Sequence, residues 1–152
     1  MSDTQPFQQM QPGQILARGV LRALRDLGMS GLPEMPLRPR LRADVMAIGR
    51  KGEIWIVECK SGRADFRADR KWQGYLEWCD RYFWAVDADF PLDLLPEETG
   101  VILADGHGAE VLREAPHCPL APARRKALTL DFARRAAGRL HMLSDPRPGL
   151  LL

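Results

Sequence analysis

Two strand-like runs, residues 41–48 and 53–60, constrain this chain more than any other feature: they are rich in Val, Ile and Trp and separated only by Gly49-Arg50-Lys51-Gly52. β-Branched and aromatic side chains suit a pleated, half-buried surface, and so short a connection permits only antiparallel pairing, so the two runs form a β-hairpin. With a loop of residues 50–52, the last position needs the left-handed backbone that glycine supplies, and Gly52 stands there. The register follows from that loop. Ile48 opposes Ile54, Met46 opposes Ile56, and Asp44 opposes Glu58. Glu58 and Lys60, two apart on a strand, leave the same face as Ile54 and Ile56, so the charges project from a partly buried surface.

Around the hairpin the chain has 152 residues, enough for one domain core and too few for two. With 45% hydrophobic and 28% charged residues it is neither wholly disordered nor a membrane protein. No apolar run approaches the roughly 18–20 residues of a spanning helix, and the first residues carry no basic segment followed by an apolar one. A cytoplasmic, nucleoid-associated protein with no membrane partner is expected. The three cysteines, Cys59, Cys79 and Cys118, form no CxxC and read as reduced thiols. The net charge of +2 does not by itself announce a nucleic-acid binder, so such a function must come from charge placement.

Residues 1–12, with four Gln and two Pro, read as a disordered tail, residues 13–144 as the domain, and 145–152 as a second tail. Ile15, Leu16, Val20, Leu24 and Leu27 recur at helical spacing, with Gly28 placed to stop the helix. Three prolines between residues 31 and 39 leave at best a short edge strand over 34–38. After the hairpin the spacing predicts a helix over 64–79, packed through Phe66, Trp72, Leu76 and Cys79. A buried strand over 81–86 comes next, then strands over 101–104 and 110–112. A final helix over 122–143 has Leu128, Phe132, Ala136, Leu140 and Leu143 on one face.

Two carboxylates directly opposed on neighbouring strands, their β-carbons about 5 Å apart, repel, and a sheet accepts that only with compensation. A divalent cation supplies it, since Mg²⁺ takes one or two carboxylates together with waters and phosphate oxygens. The backbone carbonyl of Cys59 offers a further oxygen, and Lys60 stands where it can orient an attacking water or offset charge on a phosphate. Asp44, thirteen residues, then Glu58-Cys59-Lys60, on a hairpin flanked by helices, resembles the PD-(D/E)xK nuclease superfamily. The longer series Arg42-Ala43-Asp44, Val57-Glu58-Cys59-Lys60, Ala64-Asp65-Phe66, Asp69-Arg70-Lys71-Trp72, Cys79-Asp80 and 123–128 is similar to the MmcB-like DNA repair proteins.

That resemblance implies a restriction-endonuclease-like α/β fold, a mixed β-sheet flanked by α-helices in a single domain. It implies a DNA repair protein hydrolysing DNA phosphodiesters as a Mg²⁺- or Mn²⁺-dependent endonuclease. Asp44 and Glu58 match the metal-binding acids, Cys59 the position whose carbonyl binds metal, and Lys60 the catalytic lysine. Many such nucleases place a glutamate on the first helix; here that helix offers only Asp26, so Glu34 is the additional acid considered. Lys71 and Gln73 on the next helix are secondary candidates for the site wall. Arg63, Arg67 and Arg70, just past the motif, and Arg124 and Arg125, at the start of the last helix, are the expected DNA contacts. The expected partners are DNA, proteins of a repair pathway, and a second copy of the chain where both strands are cut. The competing reading is a nuclease-derived DNA-binding or scaffolding module without turnover. Trp72, Trp78, Tyr82, Phe83 and Trp84 read as core rather than as a base-stacking platform.

Overall fold

The computed structural model describes residues 9–62, 66 and 71–147. Six strands form one mixed sheet in sequence order: β1 (Ser30–Arg38), β2 (Leu41–Ile48), β3 (Ile54–Lys60), β4 (Arg81–Val86), β5 (Gly100–Ala104) and β6 (Ala109–Arg113). β1, β2 and β3 are antiparallel neighbours, β3, β4 and β5 run parallel, and β6 returns antiparallel to β5. Helices flank the sheet, as the α/β reading requires. The β2–β3 register is the expected one, with Ile48 opposite Ile54 and Met46 opposite Ile56. Gly52 carries φ +87° and donates its N–H to the Gly49 carbonyl at 3.0 Å, closing the loop.

The helix α1 (Pro12–Asp26) begins two residues before the helical pattern, on a proline at its first turn, and ends as expected, with Gly28 at φ +81°. Its Leu16, Ala17, Val20 and Leu24 bury against Val45, Val57, Phe83 and Ile102 on one face of the sheet. The opposite face carries Met46, Ile54, Ile56, Tyr82 and Trp84, covered by Tyr75, Leu120 and Leu128. The central strand β4 is therefore buried on both sides: Phe83 faces α1, Trp84 faces away, and both are 0% exposed.

Three elements differ from the expectation. The strand β1 spans nine residues from Ser30, because Pro33 and Pro36 lie on an edge strand, where a missing N–H costs little. The helix expected over 64–79 is described at Phe66, which is α-helical and packs on Trp84 as expected, and at Trp72–Trp78, which form a 3₁₀ helix, η1. Trp72, Tyr75 and Trp78 recur every third residue, the period of a 3₁₀ turn, so they share the inward face while Leu76 is 44% exposed. A second short 3₁₀ turn is η2 (Leu92–Leu94). Finally, α2 (Pro122–Ser144) has the expected bounds, but only Leu128 is buried and Phe132 partly so. Leu140 and Leu143 are exposed, and the far half of α2 meets the sheet through Arg139, which donates to the Pro33 and Glu34 carbonyls of β1 at 2.6 and 2.8 Å.

A kink crosses β1 and β2. Leu32 and Met35 face the same core, as do Ala43 and Met46, although strict alternation puts residues three apart on opposite faces. The reversal falls at Glu34, whose φ is +51°, and at Asp44 beside it, between the pairs Pro33–Val45 and Met35–Ala43.

Candidate active site

The kink is where the β2–β3 ladder gives way to side chains. Backbone pairing runs as far as Val45 opposite Val57. Beyond it, the Asp44 N–H donates to Glu58 Oε1 at 3.0 Å and the Cys59 N–H donates to Asp44 Oδ2 at 2.8 Å. Each carboxylate thus reaches across to the other strand and replaces a ladder bond. β3 does not move away with β2, because Glu58, Cys59 and Lys60 stay paired with Trp84, Ala85 and Val86 of β4. From the other side, the Tyr75 hydroxyl of η1 donates to the Arg42 carbonyl at 2.9 Å and ties β2 in place two residues before Asp44.

Burial dominates the electrostatics. Glu58 is 4% exposed and Lys60 8%. Burial raises the Asp44 carboxyl above its ordinary value, against the opposing pull of the Cys59 N–H, of Glu58 and of Lys60. Glu58 is raised well above its ordinary value, first by burial and then by the negative charge of Asp44. The Cys59 thiol packs into the α1-facing core, so this residue meets the carboxylates through its main chain.

These donors are all oxygens and suit a hard divalent cation that takes two carboxylates, with water completing its shell. Among the described residues there is no group of three or more His, Cys, Asp or Glu side chains able to hold a metal. Glu34, opposite Asp44 across the kink, is exposed, and its carboxylate lies 3.9 Å from the Arg42 guanidinium. Asp44, Glu58, Cys59, Lys60 and Glu34 all line one open groove of about 1370 Å³ between α1 and the β1–β3 end of the sheet. Lys71 and Gln73 are exposed at η1 and do not line it. Arg63, Arg67 and Arg70 lie outside the described residues.

The family model for MmcB-like DNA repair proteins matches residues 3–147. The chain belongs to the MmcB-like DNA repair protein family. A solved structure of a Silicibacter pomeroyi protein of unknown function is 58% identical to it, with a TM-score of 0.91, covering 95% of this chain and 99% of that one. No curated protein matches the chain. Among the described residues no helix is long and apolar enough to cross a membrane.

In this MmcB-like chain, two of the arginines expected to contact DNA serve the fold instead. Arg125 grips Asp80 with both terminal nitrogens at 2.6 Å and donates to the Gly52 carbonyl at 2.8 Å. Arg124 lies 4.0 Å above the Trp78 ring and beside Glu77. A cation at a helix N-terminus suggested a bound anion; the anion is the protein's own Asp80 carboxylate. The arginines along the groove are Arg18, Arg22 and Arg25 of α1, Arg40 of the β1–β2 turn and Arg42 of β2, with the Arg22 guanidinium donating to the His107 carbonyl at 3.5 Å. Their spacing, four and then three residues along α1, was a readable signal, since positions so spaced share one helix face.

Proposed function

We propose that this MmcB-like protein is a PD-(D/E)xK-type phosphodiesterase that hydrolyses DNA phosphodiester bonds in repair with Mg²⁺ or Mn²⁺. The observation that carries the reading is the reciprocal pair of Asp44 and Glu58, buried where two strands separate, with Lys60 beside them and arginines around them. The Asp44 and Glu58 carboxylates and the Cys59 carbonyl would hold the cation. When bound, it supplies Lewis-acid polarisation of a phosphoryl oxygen and acidifies a coordinated water.

The protein's own groups supply the rest. Burial favours the protonated form of both carboxyls and ligand carboxylates must be ionised, so metal affinity rises with pH. The Lys60 ammonium, 8% exposed and close enough to lower the pKa of both carboxyls, is a fixed positive charge for a phosphate gaining negative charge in displacement. Held on β3 by its pairing with β4, it needs little reorganisation when that charge develops. The groove arginines neutralise the flanking phosphates and hold the scissile bond still.

The test is cleavage of end-labelled duplex, single-stranded, nicked and branched DNAs in Mg²⁺ or Mn²⁺. Wild type should cut at least one of them, Asp44→Ala should not, and Lys60→Ala should be slower by about 10²–10³-fold. A second reading has an observation of its own: α1 turns arginines toward the groove, and among the described residues no third acid comes close enough to Asp44 and Glu58 to complete a metal-holding group. That arrangement suits a DNA-binding repair scaffold without turnover. Absence of cutting by wild type, with DNA binding intact in both wild type and Asp44→Ala, decides for the scaffold.

A further inference from the structure

From the groove we infer that this protein engages the sugar-phosphate backbone of duplex DNA, and that Arg18 and Arg25 of α1 form the track on which one strand lies. This rests on the reading of the groove as a DNA site, not on turnover. Three observations carry it.

The first is charge. Arg18, Arg22, Arg25, Arg40, Arg42 and Lys60 line the groove against three carboxylates, Glu34, Asp44 and Glu58. That local surplus of three positive charges exceeds the +2 of the entire chain.

The second is geometry. The apolar residues of α1 face the sheet, which turns Arg18 and Arg25 toward the groove along one helix face, while Arg22 between them donates to the His107 carbonyl at 3.5 Å. At about 1.5 Å per residue, Arg18 and Arg25 lie about 10 Å apart along the helix axis, the length over which one DNA strand presents about three phosphates. Across the groove, Arg40 stands at the third position of the Arg38–Leu41 turn with φ +65°, where glycine or asparagine is the unstrained choice. An arginine held in a left-handed conformation at the groove rim is consistent with a use for its side chain.

The third is the lack of a stacking platform. Among the described residues the groove's aromatic is Tyr75, 8% exposed, with its hydroxyl engaged by Arg42. Trp55 packs on Phe83, Trp72 on Trp84, and Trp78 lies beneath Arg124. Single-strand binders lay successive bases on exposed aromatic rings, and this groove offers charge without rings, which suits bases that remain paired.

The test is fluorescence anisotropy of the full chain without divalent metal, on a short mixed-sequence duplex and an unstructured single strand. Wild type, Arg18→Ala/Arg25→Ala, Arg18→Lys/Arg25→Lys and an Arg134→Ala control on exposed α2 would be compared. Each lost phosphate contact lowers the slope of log affinity against log salt by about 0.9, so the double alanine variant should lose about 1.8. Between 50 and 200 mM salt, wild type should therefore lose about 12-fold more affinity than that variant. The lysine variant should keep most of the wild-type slope, the control all of it, and the duplex should bind more tightly than the single strand. If the double variant proves unfolded, Arg25→Ala alone, at an exposed position, should lose about 0.9 of slope. An unchanged slope in the alanine variants, or single-strand affinity equal to duplex affinity, overturns the inference. Cutting by wild type alongside an unchanged slope would remove the arginine track and leave the phosphodiesterase standing. Salt-dependent duplex binding without cutting would do the reverse.

Discussion

Replacing Asp80 with alanine should destabilise this protein by about 4 kcal/mol, although Asp80 is remote from the groove chemistry. Asp80 is 1% exposed and joins four pieces of chain. Its Oδ2 accepts the Ile54 N–H at the start of β3 and its Oδ1 accepts the Leu120 N–H before α2, both at 2.8 Å. Arg125 brings the hairpin loop into the same cluster through the Gly52 carbonyl. Burial alone would raise the Asp80 carboxyl, but the Arg125 guanidinium and the two backbone N–H groups outweigh it and hold the pKa at about 2. Relative to the ordinary value of 3.8, that depression corresponds to about 2 kcal/mol of stability at neutral pH. The two N–H groups stranded by the alanine add about 1 kcal/mol each, while the Arg125 side chain, 31% exposed, recovers some solvation. For a domain of this size the melting temperature should fall by roughly 10 °C. Because the folded-state pKa is depressed, the Asp80 contribution is complete above about pH 4 and disappears as pH falls through 2, so wild type and Asp80→Ala should converge in acid. Urea unfolding from pH 7 down to pH 2 measures both quantities. A loss below about 1 kcal/mol, or stability curves that stay parallel into acid, would refute the account of this cluster.

The carboxyl pair at the site should show the opposite sign. Glu58 has a raised pKa, so its contribution is present at low pH and lost as pH rises through the folded-state value; metal-free Glu58→Gln should therefore melt above wild type at alkaline pH, and equal melting there would count against the burial argument. Added Mg²⁺ or Mn²⁺ should raise the wild-type melting temperature and leave that of Glu58→Gln unchanged, as read by differential scanning calorimetry. At Gly19 a Cβ would sit 1.8 Å from the Asp105 carbonyl oxygen and 2.6 Å from that of Gly108, both backbone. Gly19→Ala should cost about 3 kcal/mol in urea unfolding, and an unperturbed variant would show that α1 does not press on the β5–β6 turn.

The hairpin was legible because its register depends on a local rule: a three-residue loop ending in glycine admits one pairing, and Asp44, Glu58 and Lys60 follow from it. Non-local effects hid the remainder. Pro33 and Pro36 read as breakers because sequence does not say which strand lies at a sheet edge. Around η1 both a 3.6 and a 3.0 period were available, and burial of Trp72, Tyr75 and Trp78 against Tyr82 and Trp84 selected the second. The apolar stripe of α2 suggested packing along its full length, but its far half meets the edge strand β1 through Arg139 and leaves Leu140 and Leu143 exposed. Arg124 and Arg125 illustrate the same limit: their partners, Trp78 and Asp80, lie more than forty residues earlier in sequence, and nothing local marks them as spent.

Among the described residues, Asp80, Asp44 and Glu58 are acids drawn out of water, and their differing environments separate folding from function. Asp80 has a guanidinium and two N–H donors, stays ionised, and adds to stability. Asp44 and Glu58 are held against each other by reciprocal backbone bonds, with a lysine in range, and burial prevails over these, so both carboxyls are raised. Arg42 exerts only the smallest of the pulls that lower Asp44, and its guanidinium lies 3.9 Å from exposed Glu34. A site meant only to be stable would be satisfied as Asp80 is, because an unpaired buried carboxylate is costly. Keeping two acids short of positive charge at the one place where β2 and β3 part, facing an open basic groove, is a cost to the free protein that a divalent cation and a phosphate would relieve on binding. The strained backbone at Glu34 and the parity reversal at Asp44 belong to the same arrangement: without the kink the ladder would continue, and the N–H groups of Asp44 and Cys59 would bond to backbone instead of holding the carboxylates in place.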